Sequence, residues 1–199
     1  MAIKSVKPPS FQRGALLIEM LVSLVLGIMA ISLIISILFS GYRVASKNSL
    51  ELFVLQNLAI TSEMMRSDIQ RAGYAGISGG SITLSGASDV VVISGASMGF
   101  VYHDPKSGKY QHVKYKAENN RLYSCEKKSS TILSFDSLNG CNNLFDQNML
   151  SVTSFAVSTI ELTSSSAIST MSDVYLEAEL VDGQYNHSVL TKIKQRNWL

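Results

Sequence analysis

The sequence predicts an α+β fold in which one long amino-terminal helix packs on an antiparallel β-sheet domain. Three observations carry that expectation. An apolar run lies near the start, an amphipathic stretch free of proline follows it, and the rest is rich in short β-branched runs and turns. The 199 residues suffice for one compact domain and an appendage, and are short for two full domains.

The helix comes first. In "ALLIEMLVSLVLGIMAISLIISILF", residues 15–39, Glu19 is the sole charged residue. At about 1.5 Å per residue this run makes a helix of roughly 37 Å, against a bilayer core of about 30 Å. A single transmembrane helix is therefore expected over residues 15–40. The stretch that follows carries an apolar stripe at Leu50, Val54, Leu58, Met65 and Ile69, close to helical spacing. Leu55 and Met64 widen that face, while Lys47, Glu51, Glu63, Arg66 and Asp68 read as mostly off it. Gly41 weakens the join without forbidding it, and Gly73 is placed to cap the end in a left-handed conformation. The expectation is one helix over residues 16–72, roughly 85 Å long at the standard rise. Residues 41–73 form its amphipathic half, which must dock on a sheet.

Residues 74–199 read as that β-rich domain. Short β-branched runs occur at 81–84 and 89–94, and "SGAS" recurs as a turn on either side of the second. "HDPKSGKY" is a turn, "YQHVKYKA" alternates as a strand does, and "NNRLYSC" is a turn leading into a strand. Three longer strands follow in "MLSVTSFAVSTIEL", "SDVYLEAELVD" and "NHSVLTKIKQRNW". Val174, Leu176, Ala178 and Leu180 share one face of the second, and Asp182-Gly183-Gln184 turns it back as a hairpin. The segment between Cys125 and Cys141 is expected to be a polar, irregular loop.

Charge bears on partners. Hydrophobic residues make up 46% of the chain and charged residues 16%, and the excess sits in the apolar run. The formal charge is +2, yet residues 1–14 hold Lys4, Lys7 and Arg13 and no acid. Removing those three from the 17 basic residues leaves 14 against 15 acidic, a net −1. Basicity confined to a leader fits the positive-inside rule and gives no case for nucleic-acid binding. A cytoplasmic leader puts Cys125 and Cys141 on the far side of the membrane, where a disulfide is expected, worth about 3 kcal/mol for a loop of this size. Two unrelated buried thiols are the alternative.

No catalytic constellation emerges. His103, His112 and His187 are scattered over expected strands and read as solvent-exposed, and no HExxH spacing joins them. Ser94 lacks a GxSxG elbow. Asp136, Asp146 and Glu161 read as solvated loop acids without partners. Tyr110, Tyr115 and Tyr123 with Lys109, Lys114 and Lys116 form a basic-aromatic pattern that could stack on single-stranded DNA. A strand with one buried and one wet face explains it more simply. No cofactor and no metal site is expected.

Glu19 needs its own explanation, because a carboxylate in a membrane helix is costly, by about 2.5–3.5 kcal/mol at the centre and less near an end. Gly14 precedes an apolar residue, Glu19 is fifth from Ala15, and basic residues lie upstream. This resembles the class III signal of type IV pilins and type II secretion pseudopilins, proteins with a type IV pilin-like fold. The resemblance implies that a prepilin peptidase cuts between Gly14 and Ala15, removing residues 1–14, and that Ala15 is N-methylated. Phe is commoner than Ala at that position, and the family's frequent helix-breaking proline is absent. Cutting there creates an amine at the membrane end of the helix. The Glu19 carboxylate of one subunit can then neutralise the amine of its neighbour and fix their axial offset.

"MMRSDIQRAGYAG" and the tail "KIKQRN", with Arg196-Asn197, are similar to PilW-like minor pilins, bracketing residues 1–76 and the last fifteen. The J-type minor pseudopilins of type II secretion share these features more loosely and stand as the alternative. The resemblance implies a non-enzymatic minor pilin that promotes pilus assembly in the initiation complex at the tip. Its implied partners are other minor pilins, the major pilin, the prepilin peptidase, the bacterial inner membrane and the pilus assembly platform. Nucleic acid enters only indirectly, through DNA uptake by a pilus. The β domain is implied to be periplasmic, then on the pilus at the cell surface. A plain signal-anchored periplasmic enzyme or binding protein instead predicts an uncut leader and indifference to Glu19→Ala.

Overall fold

The computed structural model describes residues 12–76, 79–163 and 168–196, and side chains over 16–76, 79–162 and 169–196. The expected leader thus lies largely outside the described residues. One helix, α1, spans Gln12–Arg71, starting before the expected residue 16 and ending one residue before Ala72. Two compact units divide the chain, residues 1–49 and Leu50 onward.

In the first unit every side chain described over 16–49 is exposed within the chain, including the run of leucines, isoleucines and valines. The helix from Leu16 is long and apolar enough to cross a membrane.

In the second unit the helical stripe is buried as expected. Val54, Leu58, Met65 and Ile69 have no exposed surface, and Leu50 packs against them half-buried. Thr61 and Ser62 fill the gap between Leu58 and Met65 and are buried too. Leu55 does not join that face and is exposed. Gly73 ends the helix with φ +76°, and its N–H donates to the Val101 carbonyl at 2.9 Å. The helix end is thereby tied to a strand as well as to its own last turn, where the Tyr74 N–H donates to the Arg71 carbonyl at 3.1 Å.

Among the described residues eight strands follow. β1 (Val92–Ile93), β2 (Ser97–Asp104), β3 (Lys109–Glu118), β4 (Arg121–Ser129) and β5 (Cys141–Asn143) form one antiparallel meander. β6 (Leu150–Thr163), β7 (Ile168–Leu180) and β8 (His187–Lys194) form a second. The β3–β4 turn is Asn119-Asn120, with φ +52° and +58°, the double left-handed turn that matches strand twist and that Asn tolerates. Asn120 also accepts the Val152 N–H at 2.9 Å, joining the two sheets. The β7–β8 hairpin forms as expected, with the Gly183 N–H donating to the Leu180 carbonyl at 2.8 Å.

Period-two alternation places the core. Met98, Phe100, Val113, Tyr115 and Leu122 of the first sheet meet the helix stripe, as do Val152, Phe155, Val174, Leu176, Ala178, Leu180 and Ile193 of the second. The four β7 residues singled out in the sequence are all buried there.

Two expectations need correction. Residues 81–84 form no strand. Ser81 makes one bridge with Tyr74, and of residues 89–94 only Val92–Ile93 pairs with β2. The glycines around these runs break the ladder, so the chain satisfies its backbone through single bonds such as Ser85 N–H to the Leu133 carbonyl at 3.0 Å. The segment between the cysteines is irregular over most of its length, as expected, but it is neither wholly irregular nor simply polar. β4 extends through it to Ser129, and a single 3-10 turn forms at Phe135–Ser137. Leu138 is buried with Leu84 and Val101, and Ile132, Leu133 and Phe135 pack around them. The segment therefore covers the outer face of the first sheet.

That cover has a tight point at Gly99. A Cβ built there would lie 2.8 Å from the Phe135 ring, closer than packed carbons approach. Gly99→Ala is expected to destabilise the chain by about 1–3 kcal/mol, the usual cost of overpacking. Thermal unfolding in detergent checks it, and Phe135→Leu in the same chain should recover part of the loss.

Candidate assembly and processing site

Glu19 is exposed on α1, surrounded by Leu16, Leu17, Ile18, Met20 and Leu21, whose side chains are likewise exposed. It has no ion-pair partner among the described residues. The Ser23 hydroxyl donates to the Glu19 carbonyl at 2.8 Å, an i−4 bond that satisfies that hydroxyl within the helix. Gly14 and Ala15 lie in the backbone of α1, and the Ala15 side chain is outside the described residues. A lone acceptor on an apolar helix surface is suited to meeting a cation from outside the chain.

At the other end of the helix, chemistry that the sequence reading placed off the buried face turns inward. Asp68 is buried. It follows Met65 by three residues, so it projects onto the same side as the stripe. The Tyr115 hydroxyl donates to Asp68 Oδ2 at 2.5 Å, and the Arg71 guanidinium bonds the other carboxylate oxygen. That guanidinium also lies over the Tyr102 ring, 4.9 Å from its centre. Burial, then the Asp68 charge, pushes the Tyr115 phenol well above its usual range, so it stays a donor. Burial likewise raises Tyr102, against the opposing pull of Arg71. The cluster is an ion pair and two tyrosines that pin the helix end to β2 and β3.

Beside it lies a cleft of about 710 Å³, lined among others by Arg71, Tyr74, Tyr102, Asp104, Glu126 and Lys128. Its charges are largely consumed internally. Asp104 accepts Lys128 Nζ at 2.9 Å, the Ser107 hydroxyl at 2.8 Å and the Lys106 N–H at 3.1 Å. These hydrogen bonds, Lys128 first, hold its carboxyl down to about 2.

The three histidines lie on β2, β3 and β8, and none is fully exposed, contrary to the sequence expectation. His103 is half-buried, and His187 lies 3.5 Å from Glu51. His112 has no exposed surface. Its Nε2 accepts the Leu133 N–H at 2.9 Å, so Nδ1 must carry the proton it donates to the Lys127 carbonyl at 3.1 Å. Burial above all holds its pKa below 6.5. The folded chain therefore binds this proton less readily than the unfolded one. The histidine's contribution to stability is full above pH 6.5 and is lost as pH falls below it. We expect unfolding midpoints to drop between about pH 7 and pH 5. That slope should flatten in His112→Gln, as thermal melts across this range would read.

The cysteines form the disulfide Cys125–Cys141, across a facing residue pair of β4 and β5. Two separate thiols are thereby excluded. The basic-aromatic pattern resolves by strand alternation. Tyr115 is buried on the helix side, while Lys114 and Lys116 lie on the other face, over Phe135 at 4.1 Å and Tyr123 at 5.5 Å. Among the described residues no three His, Cys, Asp or Glu converge as metal ligands. Arg196 is described just beyond β8, and Asn197 lies outside the described residues. The spacing from Met65 could have turned Asp68 inward in the sequence, but its partner Tyr115, 47 residues away, could not be read there.

Among curated proteins none matches the chain. A type IV-like pilin from Thermus thermophilus has a similar structure, with a TM-score of 0.51 and 11% identity, covering 73% of this chain and 98% of its own. That likeness establishes a type IV pilin-like fold. The family model described as "Prepilin peptidase-dependent protein B" matches residues 47–194, a segment that excludes Gly14, Ala15 and Glu19. With about three quarters of its length matched, the chain belongs to the prepilin peptidase-dependent protein B family.

Proposed function

We propose that this chain is a minor pilin, a non-enzymatic subunit that joins the initiation complex at the tip of a type IV pilus and promotes assembly. The observation that carries the reading is Glu19, an exposed carboxylate without an ion-pair partner among the described residues, on an apolar helix in a protein of a peptidase-dependent family. Residues 1–14 are the leader, cut between Gly14 and Ala15, and Ala15 is N-methylated. Residues 15–40 span the inner membrane and later stack in the filament, where Glu19 of one subunit meets the terminal amine of the next. Residues 41–73 carry the helix into the periplasmic β domain, residues 74–199. Other minor pilins, the major pilin, the prepilin peptidase and the assembly platform are the partners.

Mass spectrometry of the amino terminus of membrane-extracted protein tests the processing. A peptide beginning at N-methylated Ala15 supports it, and an intact Met1 leader in cells with active prepilin peptidase overturns it. Glu19→Ala is expected to leave cleavage intact while lowering incorporation into sheared filaments at least about tenfold, the effect of losing one well-placed pair in lipid. Normal incorporation of that variant would rule out the register role. Loss of secretion with intact piliation would assign the subunit to a type II secretion system instead.

A further inference from the structure

Four polar side chains on α1 have no part in stacking through Glu19. Ser36, Ser40, Arg43 and Lys47 follow at steps of four, three and four residues, so at 3.6 residues per turn they form one stripe. All four are exposed. Ser36, Ser40 and Arg43 share one shallow recess with Phe39 and Val44. Between Glu19 and Glu51, Arg43 and Lys47 are the only charged residues in the sequence. Neither has an ion-pair partner among the described residues.

Their position is specific. The apolar run ends at Phe39, and Tyr42, with 74% of its surface exposed, stands beside Arg43. A helix crossing a bilayer core of about 30 Å emerges there into the headgroup layer. An amphipathic ring and long cationic side chains are the residues that settle at that depth. A guanidinium, an ammonium and a hydroxyl in one line are all donors, and a phosphodiester offers only acceptors to them.

We propose that this stripe binds the phosphate of an anionic phospholipid headgroup at the membrane face where the apolar run ends. Arg43 and Lys47 supply the charge and Ser40 a further donor. The inference rests on the membrane-spanning reading of residues 15–40. It makes the end of the span a lipid-selective site rather than a passive boundary.

The test uses the full chain reconstituted into nanodiscs of equal phosphatidylcholine and phosphatidylglycerol, with retained lipids read by native mass spectrometry. Phosphatidylglycerol should be retained over phosphatidylcholine by roughly tenfold or more, as two basic groups at a charged surface imply. The enrichment should fall to near parity in Arg43→Gln/Lys47→Gln. It should persist in Lys106→Gln/Lys109→Gln, which removes the same charge from the exposed tip of the β2–β3 hairpin. Equal retention by the unaltered chain overturns the proposal, as does enrichment indifferent to the Arg43/Lys47 change. Displacement of the lipid by millimolar inorganic phosphate would overturn it too, by marking a bare-anion site. A chain that fails to float with vesicles of either lipid sinks the membrane reading itself. One that floats without preference sinks only the stripe.

Discussion

Asp68→Ala is expected to lower the unfolding free energy of the detergent-solubilised chain by about 3 kcal/mol. Two costs add. The Tyr115 hydroxyl, buried and turned toward Asp68, loses its acceptor, and a buried unmet donor costs about 1–3 kcal/mol. Arg71 loses its carboxylate but is about half exposed, so water recovers much of that loss. Tyr115→Phe should cost less, about 1–2 kcal/mol, because Asp68 keeps its guanidinium. The double variant should be less destabilised than the sum of the singles by about 1 kcal/mol or more, since both remove one bond. Denaturant unfolding of the four chains measures this. Strict additivity would show that Tyr115 and Asp68 do not act as a pair.

The second large effect is expected from Cys125→Ser/Cys141→Ser, a loss of about 2–4 kcal/mol. The bridge joins residues separated by 16 positions and holds β5, a three-residue edge strand with few ladder bonds of its own. Freed from β5, the chain from residue 130 to 140 should loosen from the outer sheet face. Leu84, Val101 and Leu138 would then become wetter. Hydrogen exchange should rise first at the Leu133 and Ser85 amides, which bond across that cover. Unchanged exchange there would mean that apolar packing alone holds the cover in place.

The helix, its buried stripe and the β7–β8 hairpin were legible because each rests on a period written in neighbouring residues. Val54, Leu58, Met65 and Ile69 announce a face at spacings of four and seven, and Val174 to Leu180 announce one at spacings of two. Gly14, Ala15 and Glu19 stood out for a different reason, a charge where the solvent forbids one. What stayed hidden depends on partners far along the chain. Asp68 reads as a surface acid until Tyr115 arrives opposite it, and His112 reads as a wet strand residue until Leu133 crosses above it. The short runs at 81–84 and 89–94 misled because β-branched composition is local, whereas pairing needs a free edge. In this sheet the β2 edge takes only Val92–Ile93.

The cover over the outer face of the first sheet also sets how freely its residues can vary. β2 buries four successive residues, Met98 to Val101, and β3 three, Gln111 to Val113, whereas β7 alternates buried and half-buried positions from Ser172 to Leu180. In β7 every second site can drift in polarity while its neighbours hold the fold. In the centre of β2 and β3 both parities are committed, one to the helix and one to the cover. Relatives diverging from this chain would therefore change fastest along the outward face of the second sheet, and slowest at the middle of the first.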